Sequence, residues 1–159
     1  MINHVKHNIE PIFNNDSRIL ILGSLPSPKS REIGMFYGHP QNRFWKIIST
    51  LFNETLPITN LQKKEFLIKH KIAVWDVVKE CDIDGALDST IKNVVVNNFD
   101  IIIKHANIQA VFTTGRTAFN LYQKHTKKEA LYLPSPSPTN CAMTLTKLVE
   151  KYSVILKYL

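Results

Sequence analysis

RILILG (residues 18–23) runs into GSLPSPKSREIGMFYGHPQNRFW (residues 23–45), and this junction decides the fold. The first piece is a short apolar run ending at glycine, the pattern of a strand buried on both faces. The second holds three prolines, three glycines and three serines, with Phe36, Tyr37, His39 and Asn42 among them. It reads as a long loop entering a helix. Phe44, Trp45, Ile48, Leu51 and Phe52 then recur at helical spacing over 40–52.

The alternation continues along the chain. KIAVWDVV (71–78), IQAVFTTG (108–115) and ALYLPS (130–135) read as three further buried strands. NNFDIIIKHA (97–106) is predicted helical, with Asn97 or Asn98 as cap. RTAFNLYQKH (116–125) reads as an amphipathic helix. The closing segment aligns Leu145, Leu148, Val149 and Tyr152 on one stripe. STIKNVVV (89–96) fits either a strand or a helix. Nearly all-apolar strands separated by helices predict a parallel sheet covered on both faces. The expected fold class is therefore α/β, a three-layer α/β/α sandwich. Its central, mainly parallel sheet has about four strands, in one domain over residues 1–159.

Ligands of such sheets sit beyond the carboxyl ends of the strands. Those ends are predicted at Gly23–Ser27, Asp76–Cys81, Thr113–Gly115 and Leu133–Thr139. The two loops rich in proline and serine then share one edge, and one composite site is expected there. Each loop alone also reads as an ordinary turn, because Pro and Ser are turn residues. Asn42 likewise reads as a cap or as a site residue, and Asp76 as a cap or as an acceptor for a ligand.

Composition narrows the chemistry. The 159 residues carry a net charge of +7 with hydrophobic residues at 44%, which leans toward a polyanionic partner. No apolar run reaches the ~18 residues that cross a bilayer, so no membrane association is expected. MINHVKHNIEPIFNN has no apolar signal core. Cys81 and Cys141, the only cysteines, lack zinc spacing. An intracellular, cytoplasmic setting is expected. Phosphate-cradle motifs are absent, GxSxG is absent, and the histidines lack metal spacing. No pair of acids is read in the strand-end loops, against a two-carboxylate glycosidase.

These residues in this order resemble the uracil-DNA glycosylase superfamily. GSLPS (23–27) is similar to its first motif, and LPSPSP (133–138) to its second. GHPQNRFW (38–45) resembles a segment of the mismatch-specific uracil/thymine branch. The set GSLPS, HPQNRFW, AVWDVVKECDIDGALDSTI and LPSPSPTN is most similar to the hypoxanthine-DNA, or DNA-deoxyinosine, glycosylases. The resemblance covers about residues 17–159. At the third place of the first motif the uracil branch carries Asp and the mismatch branch Asn; here it is Leu25. The second motif begins with Leu133 in place of His or Asn.

The resemblance implies a monofunctional DNA N-glycosylase that starts base excision repair and needs no cofactor or metal. Hypoxanthine is the expected base. A mismatch-specific uracil/thymine enzyme and a non-catalytic binder of damaged DNA are the alternatives. By the resemblance, Asn42 manages the attacking water and Tyr37 stacks on the flipped base, with Phe36 as the second choice. Gly23, Ser24 and Leu25 line the base pocket. Base chemistry adds Asp76 as acceptor from N1–H of hypoxanthine, a hydrogen that adenine lacks. Ser27, Lys29, Arg43, Ser135, Ser137, Pro138 and Thr139 are expected to meet DNA, duplex or single-stranded. Arg43 has a second reading, as a brace for the loop. A monomer is expected.

Overall fold

Ile19, Leu20, Ile21 and Leu22 are all fully buried, which a strand achieves only at the centre of a sheet with both faces covered. The computed structural model describes residues 1–159. In chain order the elements are β1 (Ile2–Lys6), β2 (Ile19–Gly23), α1 (Pro28–Ile33), α2 (Phe44–Leu51), α3 (Asn60–Lys69) and β3 (Ile72–Asp76). Then come β4 (Val78–Asp84), β5 (Leu87–Val96), α4 (Asp100–Ile103), β6 (Ala110–Thr114), α5 (Arg116–Thr126), β7 (Leu131–Leu133) and α6 (Leu145–Tyr152). A 3₁₀ turn, Ser153–Tyr158, closes the chain.

Four strands form the parallel sheet in the order β3-β2-β6-β7. Its register separates the two covering layers. Ile21 aligns with Val74 and Phe112, while Leu22 aligns with Trp75 and Thr113. Aligned residues face the same side, so Phe112 and Trp75 face opposite sides. Phe112 packs edge-on against Tyr158 at 5.7 Å. Trp75 meets Phe99 at 6.1 Å, and Phe99 meets Tyr122 at 5.4 Å. The end of the chain thus covers one face, with α2 packed on α6. The start of α4 and α5 cover the other. This is the three-layer arrangement that the apolar strands predict. No helix is long and apolar enough to cross a membrane.

Two local readings are corrected and two open ones are decided. The strand read over 71–78 stops at Asp76, and β4 begins at Val78 in a different sheet. That sheet is antiparallel, ordered β1-β4-β5. The ambiguous 89–96 segment is strand, the greater part of β5. The helix predicted over 97–106 is regular only from Asp100 to Ile103. Asn97 does not cap it, since its amide donates to the Asp76 carbonyl at 3.0 Å. Asn98 Oδ1 accepts from the Asp100 amide at 3.2 Å.

The second sheet also reaches the parallel one. After β1 the chain runs along β3, where Ile12 and Val74 exchange backbone bonds at 3.0 and 2.9 Å. This path carries His7 to the carboxyl end of β3.

Candidate base-binding and catalytic site

A cavity of about 460 Å³ opens at the carboxyl ends of β2, β3 and β6. The composite site expected at this edge therefore exists. The β2–α1 turn, the 36–42 loop, Asp76 and residues Ser135–Thr139 all line it. A larger cavity of about 620 Å³, lined by Lys6, His7, Arg31 and Lys64, lies alongside. The smaller one collects the motif residues.

The β2–α1 turn is held by its own helix. Ser27 caps α1, its hydroxyl accepting the Ser30 amide at 3.1 Å, and Pro28 supplies the first helical residue. A Pro at this place lacks only an N–H that the helix leaves unpaired. The Ser27 hydroxyl is therefore engaged within the fold. Lys29 reaches only Glu32, at 3.5 Å. A Cβ at Gly23 would come within 3.3 Å of the Tyr37 hydroxyl, so glycine lets this ring close over the end of β2.

Tyr37 is the most constrained aromatic of the site. Its φ of 53° is left-handed, a conformation that costs a non-glycine residue about 1 kcal/mol. The ring stacks on Phe44 of α2, with centroids 4.0 Å apart and planes 13° apart. Its hydroxyl is 2.8 Å from Thr114 Oγ1. Burial pushes the phenol above its ordinary range, so it is neutral at physiological pH. One ring face is taken by Phe44, and the residue lines the cavity. Phe36, the second choice, is only 3% exposed. Its carbonyl accepts Trp45 Nε1–H at 3.1 Å, and the residue both belongs to the core and lines the cavity.

Asn42 joins both of its readings. Oδ1 accepts the Phe44 amide at 2.9 Å, starting α2. The side chain is half-buried and lines the cavity. One carbonyl lone pair and the amide N–H groups remain. Arg43 follows its bracing reading. Its guanidinium donates to the carbonyls of Ser137 at 2.8 Å, Asn140 at 3.0 Å, Pro136 at 3.4 Å and, in a short contact, Met143. It thereby stitches α2 to the second loop, and the expectation of a free phosphate contact is corrected.

The second loop is built from its own serines. Ser135 Oγ accepts the Ser137 amide, and Ser137 Oγ accepts the Thr139 amide, at 3.2 and 3.3 Å. Tyr152 of α6 donates to the Pro134 carbonyl at 2.7 Å. Pro138 and Thr139 line the cavity beside them. Leu133 is 1% exposed and belongs to the core. Leu25 lines the cavity with no polar atom to offer.

Asp76 lies at the cavity floor, 1% exposed. His7 Nε2 donates to the Val78 carbonyl at 2.8 Å and lies 2.5 Å from Asp76 Oδ2. That contact is off the hydrogen-bond axis, so Oδ2 has charge contact but no donor of its own. Burial raises the Asp76 carboxyl to about 6, against the opposing pull of His7. Burial lowers His7, but Asp76 outweighs it and the imidazole titrates above its ordinary value.

The sequence reading missed Asp88. It enters the cavity from β5, next to the two-residue turn Gly85-Ala86, with Gly85 at φ 58°. Its Oδ2 accepts the Ser24 hydroxyl at 2.6 Å. Burial raises this carboxyl, while the Ser24 bond holds it down. Two carboxylates therefore share the cavity, which corrects the expectation that no acidic pair would meet there. The signal was Gly85-Ala86, a glycine-first hairpin turn that folds Asp88 back along β4.

The profile of the Uracil DNA glycosylase superfamily matches residues 10–159. A hypoxanthine DNA glycosylase of Methanosarcina barkeri is 36% identical over 113 residues, covering 70% of this chain and 72% of that protein. A hypoxanthine DNA glycosylase of Methanosarcina acetivorans is 35% identical over 96 residues, 60% of this chain and 61% of that one. The solution NMR structure of a candidate uracil DNA glycosylase from Methanosarcina acetivorans superposes with a TM-score of 0.76 at 26% identity. It covers 97% of this chain and 98% of its own. With the profile spanning the site described above, the chain belongs to the uracil DNA glycosylase superfamily, hydrolases of the N-glycosidic bond in DNA.

Proposed function

We propose that this glycosylase removes hypoxanthine from DNA. The observation that carries the reading is the cavity floor. Asp76 is a buried carboxylate that lines the cavity beside His7, and a ligand that brings an N–H to it gains a charge-assisted hydrogen bond. Hypoxanthine presents N1–H, where adenine presents a bare nitrogen. With its carboxyl near 6, Asp76 is mainly ionised at neutral pH and accepts.

The nucleotide enters after leaving the duplex stack, at a cost of a few kcal/mol that is lower for a poor pair. The free face of Tyr37 stacks on the base while Phe44 supports the ring from behind. Gly23, Ser24 and Leu25 flank it. Bond cleavage leaves positive charge on the sugar and negative charge on the base. Fixed dipoles aimed at those charges lower the barrier. Asn42 orients the water through the lone pair and N–H groups that α2 leaves it. Lys29, Ser135, Ser137, Pro138 and Thr139 form the rim that meets the DNA backbone. An intracellular monomer is the proposed working form.

A panel of duplexes carrying hypoxanthine, uracil, xanthine or a G:T mismatch tests this. Abasic sites are read by alkaline cleavage. Fastest release from the hypoxanthine duplex is expected. Preferential release of uracil or thymine from mismatches would assign the protein to mismatch repair. Tight binding without abasic product would make it a damage sensor.

A further inference from the structure

Hydrolysis has a proton to place. The C1′–N bond breaks and its electron pair leaves with the base. The water oxygen then bonds C1′ and must lose a proton. Asn42 cannot take it, because an amide is not basic at neutral pH. Leu25 cannot either. Asp76 is 1% exposed, held against His7 on the cavity floor. His39 is exposed, with Nδ1 accepting the Gln41 amide at 3.1 Å. Asp88 differs from both. It is half-buried on the wall, and Ser24 is the only side chain that bonds it.

Asp88 lines the same cavity as Tyr37, Asn42 and Asp76, and its Oδ1 takes no hydrogen bond from the protein. We propose that Asp88 is a catalytic residue of this enzyme, the base that accepts the proton of the attacking water. Ser24 positions it, binding Oδ2 and leaving Oδ1 for the water. The carboxylate also offsets the positive charge that develops on the sugar. The released base anion is reprotonated from solvent or from Asp88, which restores the carboxylate.

The groups around Asp88 suit this role. Ser24 of the β2–α1 turn holds the ionised form, while burial raises the carboxyl toward the working pH. Asp76 of β3 and Arg31 of α1 line the same cavity. Cys81 of β4 feels the Asp88 charge and is raised further by it. The hairpin thus supplies the acid that the first motif lacks at Leu25.

This inference rests on the glycosylase reading, and the experiment separates the two. Single-turnover release from a deoxyinosine duplex is measured across pH, with binding read on a duplex carrying a non-cleavable deoxyinosine analogue. Asp88→Asn should slow release about 100-fold or more, leave binding little changed, and remove the Asp88 share of the acid-side inflection of the rate, the share of Asp76 remaining. Ser24→Ala should move that inflection to higher pH, because the lost bond favoured the ionised form. Added formate should restore part of the rate of Asp88→Ala, which loss of a mere hairpin tie would not allow. An active wild type with an equally fast Asp88→Asn, an unmoved inflection, or a folded Asp88→Ala that formate leaves inert would each overturn the proposal. A wild type that releases no base from any duplex would overturn the glycosylase reading itself.

Discussion

Asn42 serves two masters with one amide, and its two duties have different readouts. Losing the Phe44 bond removes a helix-start contact worth about 1 kcal/mol. Losing the water contact removes a preoriented dipole, worth about 100- to 1,000-fold in rate. Asn42→Ala should therefore lower the melting temperature slightly, keep lesion binding, and nearly abolish base release. Full activity in the variant would remove Asn42 from the mechanism. The buried pair at the floor makes a second prediction. Asp76 titrates near 6 in the fold against an ordinary 3.8, and His7 is also raised. From about pH 4 upward the folded chain thus binds more protons than the unfolded one, so this pair's stabilisation falls as pH rises. Asp76→Asn should gain melting temperature relative to wild type between pH 5 and pH 7.5. A difference independent of pH would show that the pair has ordinary values. Asp76 and Asn42 were legible in the sequence because both flank predicted elements. His7 was not, since nothing local shows that β1 and the bridge at Ile12 carry it beside β3.

Among the elements, the apolar strands and α2 were legible for a simple reason: their periodicity reports burial directly. The β4–β5 hairpin was not. Its β5 burial alternates irregularly, and the pairing with β4 shifts register three times, so no clean period of two survives. That hairpin brings Asp88 to the cavity. The link between α2 and the second loop was equally hidden, as Arg43 lies 93 residues before Pro136 in the chain. Arg43→Ala would take the side-chain donor from four loop carbonyls, of which those of Pro136, Ser137 and Asn140 keep a backbone N–H and that of Met143 does not. The expected cost is about 2 kcal/mol, with faster amide exchange over residues 135–143 and weaker duplex binding. Unchanged exchange in that loop would show that Tyr152 and the loop serines suffice to hold it.

At the scale of the whole molecule, the net charge of +7 adds a long-range attraction to DNA that no single contact provides. Log affinity for duplex should fall linearly with log salt, with a slope of about −0.9 for each phosphate neutralised. Lys29→Gln should reduce the slope by about one such contact, whereas Arg43, with its guanidinium on loop carbonyls, should change affinity through loop order instead. A salt-independent affinity would place binding in the cavity alone. The sequence by itself determined the layered sheet and the edge at which the site lies, because strand burial and loop composition are local properties written in order. It also determined that Leu25 offers no polar group to the water. Only the tertiary structure decided that Asp88 faces Ser24, that His7 meets Asp76, and that Arg43 serves the loop. Each of those contacts joins residues 64 or more positions apart, and such pairings are set by how whole elements pack, which no local period encodes.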